Sequence, residues 1–199
     1  SVPNNPGANY KIKVEDYYNS CKYDESDSVF TVLPPQPVIT VTAPNGNTLY
    51  PQQSYSIRWS SQYLNSSFVN IDFSSDSGTT WNSVAQTTAN DGIHSWSVPN
   101  SISSNCFIRV TESGSPTIYD WSGKFTIAQP YLTLTSPNGG EVWKGCESKS
   151  ISWTSGGTSG SVRVEYSLDS GATWVFITNR SGSNFTWSLP TKLSSSNES

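Results

Sequence analysis

The chain is poor in the residue types and patterns on which metal sites, membranes and nucleic acids depend. Among its 199 residues there is no methionine, only one histidine, and 13% are charged. The single His94 and three separated cysteines do not form a zinc-ligand pattern. No apolar run approaches the roughly 20 residues that cross a bilayer, and no basic cluster is present. These absences predict no metal or cofactor, no membrane insertion and no nucleic-acid partner.

Sequence signatures of catalysis are missing as well. The chain has no G-x-S-x-G, P-loop or dinucleotide-binding motif, and no pair of carboxylates is marked for glycosidic chemistry. No nucleophile motif lies near His94 to suggest a triad. We therefore predict that the protein is not an enzyme and has no catalytic residues.

The residues that are abundant are aromatic or small and polar. Eight Trp and ten Tyr suffice for the core of a small sandwich, because each buries a large area. Ser, Thr and Asn fill the polar positions, and this composition favours strands and turns over helices. With a net charge of only −4, the composition suits a secreted or cell-surface protein.

The chain repeats itself at the length of a small domain. The segments 56–59, 74–81 and 95–99 reappear as 150–153, 167–174 and 186–190. Their tryptophans are 94, 93 and 91 residues apart (153−59, 174−81 and 187−96). A period of that size corresponds to one whole domain rather than to a solenoid turn.

The complete middle repeat predicts seven short strands separated by turns. Apolar and polar residues alternate, as in 55–59, and turn sequences such as Pro44-Asn45-Gly46 divide the strands. Seven strands in about ninety residues are typical of an immunoglobulin-like sandwich. We predict an all-β chain of tandem immunoglobulin-like sandwiches, with terminal strands of one repeat in 1–37, a complete domain in 38–129 and an incomplete domain in 130–199.

The repeat is split between the two ends of the sequence. Residues 10–14 and 29–32 match the last two strands of the middle repeat, 107–110 and 124–127, but belong to no domain of their own. The opening Ser1–Asn4 matches 97–100, whereas no segment after Ser194 matches the last two strands. The third repeat is therefore expected to have an open edge and an uncovered core, which are templates for strand pairing.

Two interpretations of the split repeat remain open. In the first, the N-terminal strands of one chain complete the last domain of the next, and such a heterologous contact builds a filament. In the second, the chain is an excised piece of a longer array, and neighbouring repeats of the same protein supply the strands. The residues predicted to donate in the first interpretation are Tyr10, Ile12, Val14, Val29, Phe30 and Val32.

Three cysteines are an odd number, which suggests an intermolecular bond or a free thiol in a secreted protein. In an immunoglobulin-like unit, Cys106 would begin the sixth strand at one pole, and Cys21 would lie in the last hairpin at the other. End-to-end stacking would bring Cys106 of one chain toward Cys21 of the next and predicts a disulfide between them. A free, buried Cys106 is the competing interpretation, and Cys146 has no evident partner.

Two Asp-box patterns, S-x-D-x-G-x-T-W, predict structural hairpin turns. The aspartates are expected to accept backbone N–H bonds, the glycines to adopt positive φ, and the tryptophans to fold back onto the sheet. The residues concerned are Asp76, Gly78, Trp81, Asp169, Gly171 and Trp174. Propeller blades also carry Asp-boxes, but blades recur every 40–50 residues or so, whereas these boxes are 93 apart (174−81).

The paired tryptophans have two interpretations, core packing or a sugar-stacking platform, and the pairs are Trp59/Trp153, Trp81/Trp174 and Trp96/Trp187. Their recurrence within strands favours the core for Trp59, Trp96, Trp153 and Trp187. Trp121 has no counterpart in the N-terminal fragment, where Glu25 takes its place, so it is the better candidate for a contact surface.

One longer pattern resembles a known domain family. It comprises Ser-Pro-Asn-Gly-Gly-Glu at 136–141 with Trp143, Ile-x-Trp at 151–153, the second Asp-box and Trp-x-Leu-Pro at 187–190. These segments resemble the Kre9/Knh1-type (Ser-Thr-rich, cell-wall-related) immunoglobulin-like repeats, found in large secreted surface proteins of Bacteroidetes and in fungal wall proteins. The middle unit departs from the pattern at 50–53. The resemblance implies extracellular architecture or adhesion and carries over no catalytic residue.

We therefore expect a non-enzymatic structural or adhesive repeat protein of an extracellular filament or cell surface, which polymerises head to tail with itself. The alternative is a carbohydrate-binding or spacer module of a larger secreted enzyme, with a surface polysaccharide as its partner. An exposed row of aromatic side chains would favour that alternative.

Overall fold

A computed structural model describes residues 6–158 and 160–192 of the chain. Within these ranges the protein has eighteen strands in several sheets and no helix, which confirms the predicted all-β class. The described residues accordingly include no helix long and apolar enough to cross a membrane. The predicted match of Ser1–Asn4 and the predicted lack of strands after Ser194 lie outside these residues.

The N-terminal segment forms four short strands. They are β1 (Gly7–Tyr10), β2 (Lys13–Asp16), β3 (Asn19–Glu25) and β4 (Phe30–Val32). Strands β2 and β3 pair as an antiparallel hairpin, and β1 pairs antiparallel with β4. We call these four strands together the N-terminal hairpin unit.

The middle domain consists of two sheets that enclose a large core. Its strands are β5 (Val38–Ala43), β6 (Thr48–Leu49), β7 (Ser54–Gln62), β8 (Phe68–Ser74), β9 (Asn82–Ala89), β10 (Ile93–Ser97), β11 (Ser103–Glu112), β12 (Tyr119–Trp121) and β13 (Phe125–Ile127). One sheet has the order β10-β7-β5, and the other has the order β6-β13-β11-β8-β9 with β12 attached to β11.

Strand β11 lies at the centre of the second sheet and shows how the core is built. Its residues Cys106, Ile108 and Val110 are fully buried, because every second side chain of a strand points to the same face. Glu112 continues this inward series at the end of the strand. Its carboxylate is buried and accepts the N–H groups of Asn65 and Ser66 at 2.6 and 2.8 Å. Both bonds end on Oε1 and offset the cost of burying that oxygen, whereas Oε2 is buried without a hydrogen-bond partner among the described residues.

The last domain contains counterparts of only part of this arrangement. Its strands are β14 (Tyr131–Ser136), β15 (Ser148–Gly156), β16 (Val162–Tyr166), β17 (Val175–Arg180) and β18 (Asn184–Ser188). They form a three-stranded sheet, β14-β15-β18, and a separate pair, β16-β17. Leu134 faces Trp153 across β14 and β15, as Val41 faces Trp59 across β5 and β7. The described part of this domain therefore repeats β5, β7, β8, β9 and β10.

Candidate subunit-contact site

The space between the two sheets of the last domain is an open apolar groove. The groove has a volume of about 480 Å³. Its walls include Leu132, Leu134, Trp143, Val162, Val164 and Trp187. Among the described residues of this domain, the buried cluster consists of Ile151, Trp153 and Val164, whereas the core of the middle domain holds fifteen buried residues.

Equivalent residues of the two domains differ greatly in exposure. Ile39 and Val41 of β5 are 5% and 8% exposed, but Leu132 and Leu134 at the same positions of β14 are 54% and 47% exposed. In the middle domain, buried residues of β11 and β13, such as Ile108 and Val110, complete the core that includes β5. No strand of the described last domain occupies that place, so its leucines face the groove.

The N-terminal hairpin unit has the same two hydrogen bonds as the β11–β13 part of the middle domain, which is the part that the described last domain lacks. In the hairpin unit, the Ile12 N–H donates to Ser26 Oγ at 3.0 Å, and the Ser26 N–H donates to the Ile12 carbonyl at 2.9 Å. In the middle domain, the Ile108 N–H donates to Ser122 Oγ at 3.0 Å, and the Ser122 N–H donates to the Ile108 carbonyl at 2.8 Å. The unit thus folds as β11, β12 and β13 do.

The strand register of the unit is the same as well. Across β2 and β3, Val14 faces Asp24, just as Val110 faces Asp120 across β11 and β12. Across β1 and β4, Gly7 pairs with Val32 and Tyr10 with Phe30, which corresponds to the pairs Ser103–Ile127 and Cys106–Phe125. Tyr10, Ile12 and Val14 therefore occupy the positions of Cys106, Ile108 and Val110.

The apolar residues of this unit lie on its surface. Ile12, Val14 and Phe30 are exposed, although their counterparts Ile108, Val110 and Phe125 are buried. Tyr10 and Val32 are partly buried.

Val29 differs from the other predicted donor residues. It is exposed and precedes β4, at the position of the exposed Lys124. The docking side of the hairpin unit is therefore formed by the other five predicted donor residues and not by Val29. These five are Tyr10, Ile12, Val14, Phe30 and Val32.

Both Asp-boxes form compact turns held by the aspartate. The Asp76 carboxylate accepts the Thr80 N–H at 2.9 Å, the Thr80 hydroxyl at 2.6 Å and the Ser74 hydroxyl at 2.7 Å. The Asp169 carboxylate accepts the same three bonds from Thr173 and Ser167. Hydrogen bonds from the threonine hydroxyls, followed by those from the threonine backbone N–H groups, lower the pKa of each aspartate to about 2.

The glycines of the two boxes have the same backbone conformation, whereas the tryptophans differ in their surroundings. Gly78 and Gly171 have φ values of 83° and 93°, a left-handed conformation that glycine adopts without strain. The Trp81 and Trp121 rings meet edge to face with their centroids 4.9 Å apart, and the Arg109 guanidinium lies 4.4 Å above the Trp81 ring. Trp174, the counterpart of Trp81, is 60% exposed. The described last domain has no equivalent of β11 and β12 to cover Trp174.

The remaining repeat tryptophans belong to the cores. Trp59, Trp96 and Trp153 are buried, and Trp187 is partly buried and lies 5.4 Å from the Tyr166 ring. The Trp59 indole N–H donates to Asn90 Oδ1 at 2.8 Å. Trp59, Trp96 and Trp153 are thus inaccessible to a sugar ring, whereas Trp174 is exposed.

All three cysteines are free thiols, and their exposures differ. Cys106 is fully buried in the core, with its Sγ 3.4 Å from the Ser103 carbonyl, and burial raises the pKa of the thiol. A bond to Cys21 of another chain would require the core to open, so the burial of Cys106 favours the competing interpretation of a buried free thiol. The intermolecular disulfide stays a prediction. Cys21 and Cys146 are exposed.

A scan of protein-family models finds no match to this chain, and a search of curated proteins finds none either. The resemblance to the cell-wall-related repeats therefore remains a prediction. Within the described residues, no group of three or more His, Cys, Asp or Glu side chains is arranged to hold a metal ion.

Proposed function

We propose that this protein is a non-enzymatic structural subunit of an extracellular filament or cell surface, which polymerises head to tail. The N-terminal hairpin unit of one chain fills the groove in the last domain of the next. The observation that carries this proposal is that the two incomplete parts correspond, in register and hydrogen bonding, to the two halves joined in the middle domain.

The middle domain supplies a template for the docked backbone. There, Ile108 faces Phe73 and Val110 faces Ile71 across β11 and β8. The same register places Ile12 opposite Tyr166 and Val14 opposite Val164, along the edge of β16 that β17 leaves free. Main-chain hydrogen bonds along such an edge supply affinity, and alternate side chains supply specificity.

Apolar burial supplies the driving force. Docking moves Ile12, Val14 and Phe30 from water into a groove lined by Leu132 and Leu134. Each fully buried side chain of this size stabilises the contact by about 1.5–3 kcal/mol. The exposed Trp174 is covered at the same time, because Lys13 takes the place of the Arg109 that covers Trp81.

The chain's own hairpin unit does not reach its own groove. Strand β5 begins beside Gln62 at one end of β7, whereas the chain leaves the middle domain at Ala128, beside Leu49 near the other end. Nine-residue β7 spans about 30 Å, while the five-residue segment 33–37 reaches at most about 18 Å. This geometry therefore favours a contact between two different chains over one within a single chain. Such contacts need not close into a ring.

Single-residue variants test the proposal without removing a whole segment. Ile12→Asp places a charge on the docking side of the hairpin unit, directly before β2. The matched control Ser20→Asp places the same charge on an exposed position of β3. We expect high-mass polymers from the wild type and from Ser20→Asp but monomers from Ile12→Asp. Light scattering and electron microscopy of the native proteins provide the measurement.

Three outcomes would contradict head-to-tail polymerisation. If Ile12→Asp assembles as the wild type does, the docking side takes no part in the contact. A wild-type monomer with an unfolded last domain would instead support a longer parent array that supplies the strands. Binding of a monomer to polysaccharide in a sedimentation assay would favour the carbohydrate-binding alternative.

A further inference from the structure

Two strands of the proposed contact carry matching pairs of charges. On β2, Lys13 Nζ lies 2.6 Å from Glu15 Oε2. On β16, Arg163 Nη2 lies 2.7 Å from Glu165 Oε1. Each strand therefore presents a cation followed two residues later by an anion, and each pair is satisfied within its own strand.

The register of the middle domain determines how these charges would meet. There, Arg109 faces Asp72 and Thr111 faces Asn70 across β11 and β8. The Arg109 guanidinium bonds the Asp72 carboxylate at 2.9 Å. At the equivalent positions, Lys13 faces Glu165 and Glu15 faces Arg163. Because the strands are antiparallel, the order of charges on β2 is the complement of the order on β16.

Alternative registers lose this complementarity. A slip of two residues in one direction places Lys13 opposite Arg163, and a slip of two in the other places Glu15 opposite Glu165. Like charges directly opposite each other destabilise a strand pair. A slip of one residue turns Ile12 and Val14 away from the groove. Only the register of the middle domain satisfies both the charges and the apolar face.

We infer that two cross-strand ion pairs, Lys13 with Glu165 and Glu15 with Arg163, set the register and partner choice of the subunit contact. This inference rests on the proposed head-to-tail function and names what makes the contact specific for a second copy of this chain. The middle domain has one such pair at this place, since Thr111 and Asn70 are uncharged. The second pair is thus particular to the hairpin unit and the last domain.

Charge-exchange variants isolate this effect at constant net charge. The donor variant carries Lys13→Glu and Glu15→Lys, and the acceptor variant carries Arg163→Glu and Glu165→Arg. Each variant keeps opposite charges adjacent within its strand, but pairs like charges across the contact. We expect polymerisation of each variant alone to weaken roughly tenfold relative to the wild type, as the loss of two exposed pairs and the gain of two repulsions predict.

Mixing the two variants supplies the decisive control. The hairpin unit of the donor variant and the groove of the acceptor variant both carry exchanged charges, so opposite charges face each other when they join. The hairpin unit of the acceptor variant and the groove of the donor variant both keep the wild-type charges, so they match as well. We expect an equimolar mixture to regain wild-type polymerisation as an alternating copolymer, measured by light scattering and by fluorescence transfer between labelled variants. A variant that fails to fold would not be rescued, so rescue distinguishes pairing from misfolding.

The outcomes separate this inference from the proposed function. If each variant polymerises as the wild type does in dilute salt, the ion pairs do not set the contact, although head-to-tail assembly stands. If the mixture is no better than either variant alone, the pairing is wrong. If the wild type itself does not assemble, both proposals fail. Molar salt is expected to reduce the difference between variants and wild type, since it screens exposed charges.

Discussion

At the scale of single residues, the two Asp-box aspartates are the clearest stabilising groups in exposed loops. Each accepts bonds from a threonine N–H, a threonine hydroxyl and a serine hydroxyl, and these bonds stabilise the ionised carboxylate. Protonation removes their acceptor character and loosens the turn. The two boxes therefore contribute to the acid sensitivity of the protein.

The sign of this dependence follows from the depressed pKa values. The pKa of Asp76 and of Asp169 is about 2 in the folded protein and near 3.8 in the unfolded chain. Their stabilisation is thus present above about pH 4 and is lost as the pH falls toward 2. We expect Asp76→Asn to lower the melting temperature at pH 7 and to flatten its decline between pH 4 and 2. Thermal unfolding at a series of pH values measures this.

Asp16→Asn is a suitable control, because Asp16 is an exposed aspartate that bonds one neighbouring N–H, that of Tyr18, in the N-terminal hairpin unit. Its melting temperature is expected to follow the wild-type pH profile closely. An Asp76→Asn profile as steep as the wild type would show that the acid transition arises elsewhere.

At the scale of elements, the hairpin unit and the groove are each incomplete. A two-stranded hairpin is marginally stable in water, and three or more strands with a covered apolar face are needed for independent stability. The last domain likewise has an uncovered apolar face at β14 and an unpaired edge at β16. We therefore expect the hairpin unit and the last domain to stabilise each other when they join, and each to be less stable when they are apart.

This reciprocity predicts complementation in trans. A chain that lacks residues 1–32 is expected to remain monomeric, with rapid hydrogen exchange in β14 and β16, and to bind a separate peptide of residues 6–32 at one to one. Binding is expected to slow exchange in β14 and β16 at least tenfold, since docking converts open amides into sheet hydrogen bonds. Exchange measured by mass spectrometry, with and without the peptide, checks this.

A peptide with Val14→Asp is the matched control, because it retains the hairpin sequence but places a carboxylate in the apolar groove. Equal protection by both peptides would mean that the peptide acts outside the groove. Slow exchange in β14 and β16 before any peptide is added would mean that the last domain is complete without a donor.

At the scale of the whole molecule, the proposed assembly depends on non-covalent strand addition. Cys106 is buried in the core, and Cys21 and Cys146 are the exposed thiols. The proposed strand addition therefore does not depend on the predicted bond between Cys21 and Cys106. Burial of apolar residues and edge pairing remain as the sources of affinity.

Reductant and cysteine substitution test this view. We expect filaments to keep their mass within twofold in excess reductant and in the variant Cys21→Ser, whose exposed site tolerates the change. Sedimentation of native filaments measures their mass, and denaturing gels with and without reductant detect covalent dimers. If reductant converts the filaments to monomers, a disulfide is needed to hold the contact together.

Much of this arrangement can be predicted from the amino-acid sequence. The repeat of Trp59 and Trp81 as Trp153 and Trp174 predicts a domain period, and alternation within 55–59 predicts strands, since side chains of a strand alternate between faces. The split repeat likewise locates Ile12 and Val14 among the donor residues. These features are local or periodic, so no knowledge of packing is needed to find them.

Other features depend on which segments meet in space. Only the cross-strand register of the middle domain shows that Arg109 faces Asp72, and hence that Lys13 and Glu165 would meet in the proposed contact, because register pairs residues far apart in the chain. Burial likewise shows that Cys106 is a core residue and that Leu134 faces an open groove. Periodicity identifies which residues form strands, whereas facing partners and solvent access arise from long-range packing that no short stretch of sequence contains.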